Sequence, residues 1–165
     1  MQINWTLVAG LAAFSLAAAA SWDAGSAARQ HRLPWRVLAI IHLLLLAELV
    51  ADSRFGVIDA IDAALPGIDR HAVRIGLALL MALAAGGAAI AIARAARWIP
   101  AFVPAAVATL AAAGLFGVET LSVGAVGALL YRPIGPVMLI GWLWLGCGLA
   151  VVATAIVTVK SIGTR

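Results

Sequence analysis

Charged residues are scarce in this sequence, and their scarcity decides the class of protein. Only 11% of the 165 residues are Asp, Glu, Lys or Arg, and 65% are hydrophobic. A soluble domain carries about 25% charged residues, and the mean hydropathy of this chain is +1.10. No stretch is polar enough or long enough to form a separate soluble domain. The composition therefore predicts an integral membrane protein with a single transmembrane domain over residues 1–165.

Cysteine and the familiar catalytic motifs are missing as well. Cys147 is the only cysteine and lies in an apolar run, which excludes an internal disulfide and a paired-cysteine metal site. The sequence contains no HExxH zinc motif, no phosphate-binding P-loop and no GxGxxG dinucleotide motif. These absences favour a protein that is not an enzyme, and they predict neither a metal site nor a required cofactor.

Long apolar runs are what the sequence has instead. A helix needs about 20 predominantly apolar residues to cross the hydrocarbon of a bilayer, which is about 30 Å thick. Five runs approach this length. They predict an all-α bundle of about five transmembrane helices at residues 3–21, 35–51, 73–93, 99–118 and 137–159.

Two further segments are too short or too broken to cross the bilayer. Residues 56–65 place apolar side chains at helical spacing and put Asp59 and Asp62 on the other side, which predicts a short amphipathic helix at the membrane surface. Residues 120–136 are apolar but rich in glycine, and they contain an Arg-Pro pair. We interpret this second segment as interfacial or re-entrant, and the sequence leaves both alternatives open.

The basic residues are unevenly distributed over the loops. The segments 22–36, 94–98 and 160–165 hold seven basic residues and one acid, whereas 52–74 and 119–136 hold four basic residues and five acids. Loops rich in Lys and Arg stay in the cytoplasm. Five spans then predict a bacterial-type inner membrane protein whose N-terminus lies outside and whose C-terminus is cytoplasmic. Because the net charge of +4 is divided among short loops, nucleic acid is not an expected partner.

The second apolar run contains a histidine, His42, and a carboxylate, Glu48. Ionisable residues inside a span are candidates for function. At about 1.5 Å per residue, His42 lies about 10 Å from Trp35 along the helix, within the hydrocarbon. Its imidazole could bond a neighbouring helix, act as the single axial ligand of a tetrapyrrole, bond a quinone carbonyl, or lie on a proton or substrate path. We favour the first alternative, and the sequence requires no cofactor.

A cluster of charged residues is predicted at the outer rim of the bundle, where several spans begin or end. Two explanations are open: ion pairs that tie the helix ends together, or a polar site for a cation, a proton or a headgroup. We favour ion pairs because arginines are available to neutralise the acids. A metal site is not expected, since no ligand spacing supports one. The predicted outer-rim cluster consists of Glu48, Asp52, Arg74, Glu119 and Arg132.

Small residues recur at helical spacing in the third run, at Ala78, Ala82 and Gly86, and they also occur in the last run at 146–148. Such stripes let helices approach closely, and packing drives helix association in lipid. They favour a non-catalytic accessory or structural subunit of a larger membrane complex, such as a respiratory or photosynthetic one. Its expected partners are the lipid bilayer and other membrane subunits. The alternatives are a quinone-, pigment- or lipid-binding protein that uses His42, and a small transporter or membrane enzyme that uses Glu48 and Glu119.

Overall fold

The computed structural model describes residues 3–51, 53–64, 100–121 and 124–163, together with scattered residues between 67 and 94. Within this part of the chain there are six α-helices and one very short β-hairpin. The helices are α1 (Trp5–Ala27), α2 (Arg32–Ala51), α3 (Ser53–Ala64), α4 (Val103–Leu121), α5 (Gly124–Leu130) and α6 (Leu139–Gly163). Single 3-10 turns at Arg29–His31 and Pro100–Phe102 precede α2 and α4.

Four of these helices, α1, α2, α4 and α6, are long and apolar enough to cross a membrane. They correspond to four of the five predicted spans. The remaining predicted span at 73–93, with its stripe Ala78, Ala82 and Gly86, lies largely outside the described residues, and the stripe lies wholly outside them. Each residue described between 72 and 94 is helical. The prediction of a fifth span therefore stays a prediction.

The bounds of the helices differ from the predicted spans. Helix α1 continues to Ala27 rather than ending at 21, and α2 begins at Arg32 rather than 35. Hydropathy measures how much of a helix fits in hydrocarbon, whereas helical hydrogen bonding continues through polar residues beyond it. For the same reason α6 runs to Gly163 instead of 159. Helix α4 begins later than predicted, at Val103, because the chain first makes the 3-10 turn that starts at Pro100.

The two predicted short segments both contain helices. The first is α3, which confirms a helix directly after the second span, while its position at a membrane surface stays a prediction. The second, 120–136, contains α5, and it is followed by a hairpin that we did not predict. Strand β1 (Pro133–Ile134) pairs antiparallel with β2 (Val137–Met138). The turn between the strands uses Gly135 at φ +69°, a conformation that glycine adopts without strain.

Helix α1 occupies the middle of the bundle, between α2 and α6, and α4 packs on the other side of α6. The surface that α1 presents to its neighbours is built of small residues, including Ala13 and Ala17, which are almost completely buried. The contact with α6 is so close that a Cβ atom on Gly148 would lie 2.8 Å from the carbonyl oxygen of Ala13. Small side chains therefore determine how the long helices pack.

The starts of α2 and α4 lie at the same end of the bundle. Trp35, near the start of α2, packs edge-on against Phe102, with 5.3 Å between the ring centroids. Both rings belong to a buried cluster that includes Val151 and Ala155 from the second half of α6. We call this the basic end, because Arg29 and Arg32 are located there. The end of α2 and the start of α4 are consequently at opposite ends of the bundle.

Candidate functional site

The imidazole of His42 is completely buried in the bundle, with 0% of the residue exposed. Its Nδ1 lies 2.9 Å from the carbonyl oxygen of Leu38, one helical turn earlier. A carbonyl oxygen only accepts hydrogen bonds, so Nδ1 carries the proton, and Nε2 of the neutral ring presents a lone pair. This Nε2 atom is buried and has no hydrogen-bond partner among the described residues. An unpaired buried polar atom costs free energy, and a ligand that forms a hydrogen bond with it would remove this cost. Nε2 is therefore a candidate ligand-binding atom.

The surroundings of His42 are aromatic. Each of the four long helices contributes one ring: Phe14 from α1, His42 from α2, Phe116 from α4 and Trp144 from α6. The centroid of Phe14 lies 6.3 Å from that of His42, 5.9 Å from Phe116 and 6.0 Å from Trp144. Phe116 and Trp144 stack on each other at 5.5 Å. We call these four residues the aromatic cluster.

The aromatic cluster contains a second unpaired nitrogen. The indole Nε1 of Trp144 is buried, and no described residue accepts a hydrogen bond from it. An indole N–H only donates, whereas Nε2 of His42 in this tautomer only accepts. The cluster therefore offers one donor and one acceptor. A hydroxyl group could pair with either nitrogen, because it both donates and accepts hydrogen bonds.

A glycine makes room for the indole of Trp144. A Cβ atom at Gly10 of α1 would lie 2.9 Å from the Trp144 ring and 2.6 Å from the Leu49 side chain. Sequence reasoning identified His42 but missed Phe14, Phe116 and Trp144, because the four rings are far apart along the chain. The one signal that could have suggested their contact is that large aromatic residues lie opposite small residues on the facing helix.

The predicted outer-rim cluster is described only in part. Glu119 is buried and accepts a hydrogen bond from the hydroxyl of Tyr131, at 2.5 Å from Oε1. Glu48 is half-buried on α2, and Arg132 is exposed beside the hairpin. Asp52 and the Arg74 side chain lie outside the described residues, so the predicted ion pairs stay a prediction. Tyr131 was not predicted, although it is the only tyrosine and adjoins Arg132.

The other buried hydroxyl groups mostly bond their own helices. Thr109, Thr120 and Thr158 each donate to the carbonyl oxygen one turn earlier, at 2.8, 2.8 and 2.9 Å. Ser21 differs, since its Oγ is buried with no partner in the described part of the chain. The threonines are thus satisfied locally and are not held ready for a substrate.

Among the described residues, no group of three or more His, Cys, Asp or Glu side chains is placed to hold a metal ion. Cys147 is a free, half-buried thiol that packs against the buried residues around Trp35 and against those around Phe14. No family model matches the chain, and neither a curated protein nor a solved structure matches it. What this protein does must therefore follow from its own residues.

Proposed function

We propose that this small multi-pass membrane protein is a non-catalytic accessory or structural subunit of a larger membrane complex. The observation that carries the proposal is a strip of small residues on the outer face of α6. Gly146, Ala150 and Ala153 follow one another at helical spacing, and all three are exposed. We call them the outward strip.

Two other glycines of α6 lie in contact with α1, and this contact distinguishes them from the outward strip. Besides Gly148, Gly141 lies against α1, where a Cβ atom would be 3.1 Å from the Thr6 side chain. Gly146, by contrast, has no atom of the described residues within 4 Å of the position that a Cβ would occupy. In lipid, small residues favour close helix contact because packing, rather than hydrophobicity, drives association. The outward strip therefore fits a helix from another subunit.

The proposal is tested by enlarging the outward strip. Gly146→Leu combined with Ala150→Leu should release the protein from a larger complex on native gels, because a second helix can no longer approach. Ala47→Leu is the matched control, since Ala47 is an exposed small residue on α2. A wild-type protein that is monomeric and without a co-purifying subunit in every mild detergent would contradict the proposal. Equal behaviour of the two variants would do the same.

We also propose the five-span topology, with the N-terminus outside and the C-terminus in the cytoplasm. It is supported by the opposite placement of the end of α2 and the start of α4, which an odd number of crossings between them accounts for. The test uses single cysteines in a Cys147→Ala background. Arg132→Cys should react with an impermeant reagent in intact cells, and Arg94→Cys only after permeabilisation. Both side chains are exposed in the structure, so the reverse pattern would reject this orientation.

The unpaired Nε2 of His42 favours a second candidate function, which is the binding of a small ligand in the aromatic cluster. A lone pair at Nε2 suits a hydroxyl donor such as a quinol, or the metal of a tetrapyrrole. A quinone carbonyl suits it less, because a carbonyl offers no proton to this nitrogen. An absorption spectrum and organic extraction of the purified protein test the idea. A pigment or quinol that is retained by the wild type and lost in His42→Leu would favour binding over a purely structural role.

A transporter or membrane enzyme that uses Glu48 and Glu119 remains an alternative prediction. The bond from Tyr131 to Glu119 gives that carboxylate a local partner. No observation on the described residues favours this role over the two candidates above.

A further inference from the structure

An open apolar cavity of about 290 Å³ lies between the first half of α2 and the first half of α4, near the basic end. Leu33, Val37 and Ile41 line it from α2, and Phe102 and Leu110 line it from the 3-10 turn before α4 and from α4 itself. Ala88 and Ala91 line it as well. We call it the α2–α4 groove. It opens to the surface of the bundle, because Leu33 is 74% exposed and Val37 is 45% exposed.

The chemistry of the α2–α4 groove suits a hydrocarbon chain. A dry apolar cavity of about 150 Å³ is enough to bind benzene, and this cavity is about twice that size. Among the described lining residues one has a hydroxyl group, Thr109, which donates to the carbonyl oxygen of Ala105 at 2.8 Å. The described part of the wall therefore presents no unpaired hydrogen-bond donor to an occupant.

Two arginines are close in the chain to residues that line the α2–α4 groove. Arg32 directly precedes the lining residue Leu33, and Arg94 follows the lining residue Ala91 by three positions. Both arginines are exposed. In the segments 22–36 and 94–98 the only acid is Asp23, so the basic charge is largely uncompensated by neighbours in sequence. Basic residues beside a cavity between membrane helices are the arrangement that binds anionic lipid headgroups.

We propose that the α2–α4 groove binds an anionic phospholipid, with one acyl chain in the cavity and the phosphate at Arg32 and Arg94. The apolar wall accounts for the chain, and the two arginines account for the preference for negative charge. A zwitterionic lipid also has a phosphate, but it places its own ammonium group beside the arginines, so an anionic lipid neutralises them better. This lipid site does not depend on the accessory-subunit role proposed above.

The test is lipid binding to the delipidated protein in mild detergent. Phosphatidylglycerol and phosphatidylcholine with identical acyl chains are titrated separately, and bound lipids are counted by native mass spectrometry. We expect one tightly bound phosphatidylglycerol, with an affinity above that of phosphatidylcholine by about fivefold for each arginine. Added salt should reduce this preference, because the arginines are exposed to solvent.

Variants separate the headgroup from the chain. The double variant Arg32→Gln, Arg94→Gln should bind both lipids equally, whereas Arg132→Gln, an exposed arginine at the other end, should keep the preference. Val37→Trp should weaken the binding of both lipids by filling the cavity. Ile40→Trp is its control, because Ile40 is 51% exposed on the same helix but does not line the groove.

The arginine variants keep the proposal testable even where Val37→Trp disturbs folding, since their side chains are exposed. Equal affinity of the wild type for the two lipids would overturn the proposal. A preference that survives the double arginine variant would overturn it too. So would a stoichiometric membrane protein, rather than a phospholipid, that prevents lipid binding at this groove.

Discussion

The outward faces of α2 and α6 are both apolar and both carry bulky side chains, but they differ at one strip of α6. The exposed face of α2 carries bulky residues, namely Leu33, Val37, Ile40, Leu43, Leu44 and Val50. The exposed face of α6 carries bulky residues too, among them Leu149, Ile156 and Val157. Beside them it holds the outward strip of Gly146, Ala150 and Ala153. Because lipid tails are as apolar as leucine, hydropathy cannot separate a surface for lipid from a surface for protein. The volume of the exposed side chains can separate these two kinds of surface.

The largest loss of stability is expected from a glycine substitution in α6. The test compares Gly148, which faces α1, with Gly146, which faces outward. Gly148→Leu should destabilise the folded protein by about 3 kcal/mol or more, because the new side chain collides with the α1 backbone at Ala13. Gly146→Leu should leave the melting temperature of the isolated protein in detergent unchanged or higher. Equal losses for both variants would show that the two faces of α6 are not distinct.

A smaller loss is expected from deleting leucine atoms on α2. Leu38 is 3% exposed and Leu44 is 64% exposed on the same helix. Leu38→Ala should cost about 2 kcal/mol or more, because it leaves a cavity. Leu44→Ala should change stability by less than about 0.5 kcal/mol, since lipid or detergent fills the space. Chemical denaturation in mixed micelles would measure both values. A large loss for Leu44→Ala would mean that the outer face of α2 is a protein contact.

The smallest effect is expected at His42, on the inward face of α2. In the protein without ligand, His42→Leu should be neutral or slightly stabilising. It removes an unpaired Nε2 atom and only one local bond, from Nδ1 to the Leu38 carbonyl. Thermal melting of extensively delipidated protein provides the measurement. A loss above about 2 kcal/mol would imply a partner for Nε2 that is essential to the fold.

The sequence was sufficient to predict the transmembrane class, four helices that could span a membrane, and the short helix α3. These features follow from the length of apolar runs and from helical spacing in the surface segment. The hairpin at 133–138 could not be predicted, because two residues per strand are too few to show an alternating pattern. In the sequence, Gly135 cannot be distinguished from the other glycines of this glycine-rich segment.

The candidate site was less predictable than the fold. His42 stands out in the sequence because it is ionisable, but its neighbours Phe14, Phe116 and Trp144 do not. A helix that is apolar on all sides gives no periodic signal that distinguishes its inward face from its lipid face. The unpaired nitrogens of His42 and Trp144 become visible only when the packing of four helices is known.

One hydrogen bond has a consequence for how this protein is made. The backbone N–H of Met138 donates to the hydroxyl of Thr6 at 2.9 Å, across 132 positions of the chain. Helix α1 is synthesised before the other described helices, and it therefore meets its hairpin and its main neighbour α6 only after all of them have been made. Until then the small-residue surface of α1 must face lipid or the insertion machinery. A nascent chain that ends before α6 therefore has a complete α1 helix that lacks one of its two main packing partners.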